Sequence, residues 1–336
     1  MNRERQLVER AGRAIPSRAR KVAGRGLLLG IGDDAAIIAP AGRGDWVLSC
    51  DASLDGVHFL AKSYPPDSVG YKSLVRAASD LAAMGATPRF FLLTLAIPDN
   101  LAGTWLDAFL RGMARAARSM HMTLIGGDTT KSAAVSISIT VLGEVAHGRA
   151  VKRSTARVGD IIYVSGKLGR AELGLQLMLR GGSRARKQFR PLLQAHLYPK
   201  IRLALGAWLA SHQLASAMMD ISDGLSTDLA RLCAASRAGA RLYTGRIPGV
   251  SVPQGLTKQL KSANLDPLAL ALHGGEDYEL LFTVSPRDLR KLRRAPGFSA
   301  LSPIGEITRN KKLVLVDAAG WETPLKSRGW DPFGRK

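Results

Sequence analysis

Five short stretches set carboxylates in glycine- or serine-flanked turns at the ends of apolar runs. They are Gly30-Ile31-Gly32-Asp33-Asp34, Ser49-Cys50-Asp51, Gly126-Gly127-Asp128-Thr129-Thr130, Asp220-Ile221-Ser222-Asp223-Gly224 and Gly274-Gly275-Glu276-Asp277. A sixth carboxylate, Asp80, sits in Ser79-Asp80-Leu81-Ala82-Ala83-Met84-Gly85, where the apolar spacing predicts a helix. Two carboxylates about 4 Å apart repel by roughly 1 kcal/mol in water and roughly 4 kcal/mol at a partly screened site. A fold that gathers such groups therefore needs cations between them. Small hard cations with oxygen ligands and open positions point to Mg²⁺ carrying a phosphorylated substrate. The pattern is that of a magnesium-dependent phosphoryl-transfer enzyme.

A chain of 336 residues, 46% hydrophobic and 22% charged, is globular by composition and long enough for two domains. No apolar run approaches the ~20 residues that span a bilayer, so no membrane partner is expected. The start, Met1-Asn2-Arg3-Glu4-Arg5-Gln6, is charged and no apolar stretch follows it, which weighs against a secretory signal. The two cysteines, Cys50 and Cys233, make no disulfide framework. The default address is the cytoplasm. Lys plus Arg is 48 against 27 acids, a net +21, clustered in residues 3–25, 180–202 and 287–294. Such clusters suit nucleic acid. Aromatics are only 6% and do not interleave with the runs, however, so a solvated basic surface is the preferred reading.

Residues 27–31, 35–38 and 46–49 read as strands around the first acidic turn. Asp67 or Ser68 can cap a helix running to about Met84, with Gly85 as its stop. A strand at 90–97, a helix at 103–120 and a strictly alternating strand at 135–141 complete a first unit. A second starts near Arg157, with strands at 161–164, 280–284 and 312–316. It has helices from Gly169, around 201–210, from Gly224 and near 286–294. In the helix from Gly224, Leu225, Leu229, Leu232 and Cys233 form the buried stripe, which assigns Cys233 to packing. The fold expected is α+β in two units, 1–148 and 149–336, the first built on a mixed or antiparallel sheet with helices.

No Walker A sequence, strand-borne G-x-G-x-x-G, H-E-x-x-H or paired C-x-x-C is present, so phosphate must be held by metal ions, backbone amides and dispersed basic residues. Each acidic turn alone has a plain reading as a solvated hairpin or helix cap. Asp220 and Asp223 bracket a helix start, where backbone N–H groups favour anions, although a cap needs only one acid. Glu276, Asp277 and Glu279 precede an apolar strand, which is costly without partners.

Taken together and in this order, these motifs resemble the thiamine-monophosphate kinase family. It belongs to an ATP-binding superfamily with aminoimidazole ribonucleotide synthetase and selenophosphate synthetase. The resemblance runs from Gly30 to Gly329-Trp330-Asp331-Pro332-Phe333, and rests most on Ser79–Ala86, Leu124–Thr130, Ser222-Asp223-Gly224-Leu225 and Gly274–Leu280. It implies a PurM-like fold, a homodimer in which N-terminal sheets meet, and ATP-dependent phosphorylation of thiamine monophosphate with several Mg²⁺ ions. Carried over by position, Asp34, Ser49, Cys50, Asp51, Asp80, Asp128, Asp220 and Asp223 are implied metal residues. Gly127, Asp128, Arg153 and Ser222 are implied at ATP, and His58, Glu276 and Trp330 at the thiamine part. Position 50 is Cys where relatives commonly carry threonine, and the position of Trp330 is aromatic without being invariably tryptophan. The competing readings are another member of the superfamily with a different acceptor, and a basic nucleic-acid-binding protein.

Overall fold

The computed structural model describes residues 27–29, 33, 35–38, 44–260, 265–295 and 297–333. The first sheet comprises β1 (Leu27–Leu29), β2 (Ala36–Ile38), β3 (Gly44–Leu54), β4 (Thr87–Ile97), β5 (Thr123–Lys131) and β6 (Ser136–Ala146) in the order β1-β2-β3-β6-β4-β5. Only β4 and β5 are parallel. They are joined by α2 (Thr104–Met120), while α1 (Pro66–Ala83) joins β3 to β4. Strand β6 alternates as its sequence requires: Ile137, Ile139 and Val141 are buried under the helices, and Ser136, Ser138 and Thr140 turn to the other face.

The second sheet contains β7 (Ile161–Ser165), β8 (Ala215–Ile221), β9 (Gly239–Tyr243), β10 (Glu279–Val284), β11 (Leu301–Thr308), β12 (Leu313–Val316) and β13 (Glu322–Pro324). Their order is β13-β12-β9-β11-β7-β10-β8. Its helices are α3 (Arg170–Arg180), α4 (Ser183–Gln188), α5 (Arg190–Leu197), α6 (Leu203–Ser211), α7 (Leu225–Ser236) and α8 (Pro267–His273). Every residue of β10 is buried. One face of the sheet packs on α7, as Leu225, Leu229, Leu232 and Cys233 had indicated; the other packs on α6. A strand covered on both faces carries a continuous apolar run in place of alternation.

Helix α1 belongs to both halves. Leu74, Ala78 and Leu81 enter the core of the first sheet, whereas Ala82 and Ala83 pack with Leu205, Leu209, Met218 and Phe282 beside the second. Small residues let the helices approach closely. A Cβ at Gly112 of α2 would lie 1.8 Å from the Asp67 carbonyl oxygen of α1.

The structure differs from the sequence expectations at several points. Helix α1 starts at Pro66, and neither Asp67 nor Ser68 caps it. Ser68 instead donates back to the Pro65 carbonyl (2.7 Å), while Asp67 receives Tyr198 Oη (2.8 Å). The stretch Gly126-Gly127-Asp128 is no turn but part of β5, exposed throughout its length. Its glycines allow close approach, since a Cβ on Gly127 (φ +149°) would meet the Leu93 carbonyl oxygen at 1.8 Å. Asp220 ends strand β8, paired with Leu280. The basic segment near 286–294 forms only a 3₁₀ turn and one helical turn, Leu289–Leu292. Gly30, Ile31, Gly32 and Asp34 lie outside the described residues.

Gly112→Ala is expected to lower stability by about 3 kcal/mol, because backbone blocks the new methyl. Gly245→Ala, whose Cβ meets nothing within 4 Å, should stay within about 0.5 kcal/mol. Urea denaturation of the two variants checks both.

Candidate functional site

The alternation of β3 turns Ser49, Asp51 and Ser53 toward α1 and leaves Cys50 exposed on the opposite face, where its Sγ lies 3.4 Å from Ser138 Oγ. Helical spacing on α1 brings Lys72, Arg76, Ser79 and Asp80 to the same end of the first sheet. Ser49 Oγ donates to Asp80, and Arg76 Nε donates to Asp51 at 2.7 Å. Ser79 Oγ then crosses to the second sheet, donating to Asp220 Oδ2 at 2.6 Å.

Asp220 is 3% exposed, and its pKa is pushed up to about 6. Burial is the main cause. The Ser79 hydroxyl and Arg153 oppose the rise, and the charges of Asp223 and Asp51 add to it. Asp223 is held by Arg231 Nη1 at 2.5 Å. Beneath it, the fully buried Asp228 accepts the amides of Ser222 (3.1 Å) and Asp223 (3.0 Å), which fixes the turn entering α7. Arg153 pairs with Asp33, the neighbour of Asp34, at 3.3 Å.

Ser49, Asp51, Asp80, Asp220, Ser222, Asp223 and Arg153 therefore come together where the sheets meet. Asp128 and Gly127 do not join them. The strand register aligns Asp51, Ile139, Leu93 and Gly127 on one rung across β3, β6, β4 and β5. Three inter-strand spacings place Gly127 roughly 14 Å from Asp51.

An all-oxygen donor set in which the charges of Asp223 and Asp51 raise the proton affinity of Asp220 fits a hard divalent cation. Among the described residues no three His, Cys, Asp or Glu side chains converge into a complete ligand cluster.

Beside this group lies a small cleft with about 20 Å³ of free space, lined by Ser53, His58, Tyr64, Lys72, Arg76 and Glu276 among others. The Leu54 amide donates to His58 Nδ1 at 3.0 Å, so the neutral ring presents an Nε2–H. Burial, then the Arg76 charge, push the His58 pKa down to about 4 against the smaller opposing pull of Asp51 and Glu276. Glu276 sits at a non-glycine positive φ (+66°), its amide donating to the Ser222 carbonyl at 2.7 Å. Burial alone would raise its pKa, but Lys72 Nζ at 2.7 Å and His196 hold the carboxyl well below the usual range. Trp330, 42% exposed, is tied to the turn entering α7 by its amide, which donates to the Asp223 carbonyl at 3.0 Å.

The costly acids before β10 find partners. Asp277 accepts the Gly169 and Ala171 amides at the start of α3, and Glu279 takes Arg202 through two bonds of 2.6 Å. Sequence reasoning missed Lys72, Arg76, Asp228, Arg231 and His196. Lys72 and Arg76 stand four apart on the face of α1 that also carries Asp80, a signal that was readable; the others have no local signature.

The two α+β units place the chain in the AIR synthase related class. The class model for the N-terminal domain matches residues 32–145 and that for the C-terminal domain 157–318. The chain is 35% identical to the thiamine-monophosphate kinase of Synechococcus elongatus, with 90% of this chain and 91% of the relative aligned. It is also 35% identical to that of Escherichia coli K12, with 91% and 92% aligned. Among solved structures, AaThiL complexed with AMPPCP and TMP superposes with a TM-score of 0.79 at 30% identity over 94% of each chain. The chain belongs to the thiamine-monophosphate kinase family.

The His58 shift gives a pH dependence. From an unfolded value near 6.5 to about 4 in the folded protein, only the unfolded chain takes the proton. The stability His58 contributes is complete above about 6.5 and is lost as pH falls through about 4. His58→Asn, which keeps an acceptor for the Leu54 amide, should flatten the fall in thermal midpoint over this window, as calorimetry would show.

Proposed function

We propose that the protein phosphorylates thiamine monophosphate to thiamine diphosphate with ATP, by direct in-line transfer. The carrying observation is the Ser79–Asp220 junction: it opposes carboxylates of the two sheets beside a cleft that holds both His58 and Glu276. An oxygen of the acceptor phosphate attacks the γ-phosphorus, and ADP leaves with the electrons of the broken bond. The acceptor is already largely ionised near neutral pH, so no strong general base is required. Asp34, Ser49, Cys50, Asp51, Asp80, Asp220 and Asp223 would hold Mg²⁺ where the sheets meet and Asp128 would hold a separate ion, with Cys50 acting through its backbone carbonyl, since its thiol faces away. When bound, Mg²⁺ neutralises charge on the facing phosphates and aligns them. Arg153 and Ser222 contact ATP, and the Gly127 backbone and Asp128 lie along its phosphates. His58 donates from Nε2, Glu276 receives the polar edge of the thiamine part, and Trp330 offers a π-face to a cationic ring.

In this reading residues 1–148 supply most metal ligands and residues 149–336 complete the substrate and nucleotide site. The uncovered face of the first sheet, with Trp46 stacked on Phe90 and Leu92 exposed, together with the open edge of β5, is the surface a second copy covers in a homodimer. The reading includes a cytoplasmic address; among the described residues no helix is long and apolar enough to cross a membrane. The +21 charge draws in nucleotides and phosphates, and no polynucleotide partner is assigned.

Incubation with Mg·ATP and thiamine monophosphate should yield equal amounts of ADP and thiamine diphosphate by chromatography, and neither product without Mg²⁺. ADP alone would point to another acceptor. Asp80→Ala and Asp128→Ala should each lower turnover by more than the ~10–100-fold typical of residues that only support a ligand. Near-normal turnover in either variant removes that residue from the metal shell, a demanding test for Asp128 given its place on the sheet edge.

A further inference from the structure

Glu276 is surrounded by buried groups from separate segments. Tyr64 precedes α1, Lys72 lies on α1, and His196 sits near the end of α5, which packs on α3. Tyr64 Oη lies 2.9 Å from His196 Nε2, and His196 Nδ1 lies 3.3 Å from Glu276 Oε2, the same oxygen that takes Lys72 Nζ at 2.7 Å. Lys72 Nζ also lies 3.4 Å from Nδ1, but its shorter bond is to Glu276, and an ionised carboxylate only accepts, so the tautomer that serves Glu276 carries the ring proton on Nδ1. The neutral ring then accepts at Nε2 from the Tyr64 hydroxyl. Burial first, and then the neighbouring Lys72 charge, keep this ring neutral. His196 is 1% exposed and absent from the cleft wall, whereas Glu276 lines it. The backbone of Glu276 is already held by its bond to Ser222, leaving the side-chain torsions as the freedom that the histidine removes.

We propose that His196 is a positioning residue for acceptor recognition: oriented by Tyr64, it locks the Glu276 carboxylate toward the cleft. With the ring proton on Nδ1 the polar contacts run in one direction, Tyr64 to His196 to Glu276, so a residue of the first unit bears on the aim of a carboxylate in the second. Because the two ends belong to different units, seating of the units and binding of the thiamine part are linked through this histidine. The inference rests on the reading that Glu276 contacts the thiamine part.

The test is steady-state kinetics on the full chain, with thiamine monophosphate and ATP varied separately, alongside thermal midpoints. His196→Leu should raise the KM for thiamine monophosphate roughly tenfold, the worth of a hydrogen bond to a charged group, while leaving the KM for ATP unchanged. His196→Asn, which keeps a donor near the Nδ1 position, should recover most of the loss. Glu276→Gln should raise the same KM, and adding His196→Leu to it should change little further, as expected for residues acting as one unit. An unchanged KM in His196→Leu alongside a raised one in Glu276→Gln overturns the inference and leaves the reading of Glu276 standing. An unchanged KM in both variants overturns both. Equal losses for ATP and thiamine monophosphate mark a general packing role and also overturn it. Should His196→Leu fail to fold, Tyr64→Phe decides. A rise in the KM for thiamine monophosphate that vanishes in the Glu276→Gln background supports the relay, and no rise, or the same rise in both backgrounds, overturns it.

Discussion

The burial of α1 between two sheets is the constraint on which the rest of the structure depends. Leu74 and Leu81 are fully enclosed on one side, Ala82 and Ala83 on the other. Each leucine contributes about 2 kcal/mol by leaving water, and the alanines permit the second sheet to approach. The polar residues of α1 are consequently carried to the seam between the units, where water is excluded and each needs a partner. Lys72 meets Glu276, Arg76 meets Asp51, and Ser79 meets Asp220. Three polar contacts of one helix thus reach both units.

The acids of the chain separate into two kinds. Asp277, Glu279 and Asp228 are satisfied by helix-start amides or arginines and act as structural anchors. Asp51, Asp80, Asp220 and Asp223 also have hydrogen-bond or ion-pair partners, yet the charges of Asp51 and Asp223 still disfavour ionisation of Asp220. Like-charge repulsion also reaches Asp228 from Asp223 and Asp220, and Asp277 from Glu279, so what sets Asp51, Asp80, Asp220 and Asp223 apart is their place at the seam between the units.

Much of the architecture was legible because it depends on short-range periodicity. The alternation of β6, the apolar stripe of α7 and the helical spacing of α1 all follow from residues within one or two turns of each other. The misread elements fail for a stated reason. Gly126-Gly127-Asp128 looks like a turn because paired glycines commonly make one, but here they let β5 lie close against β4, a contact between residues some thirty-four positions apart. The acidic positions were found as a group. Asp228, Arg231 and His196 were not, since a buried charge on a helix is indistinguishable from a solvated one until its neighbours are known.

The sequence by itself determined the kinds of chemistry available: oxygen ligands in abundance, no thiol or histidine metal motif, and glycines set beside the acids. It also determined the family, through motifs whose order and wording are specific. Tertiary structure alone decided which acids face one another, that Cys50 points away from them, that Asp128 stands across the sheet, and that Glu276 is aimed by a histidine eighty residues earlier. The physical reason is that pairing energies depend on distance and burial, and both are set only when the two sheets close on α1.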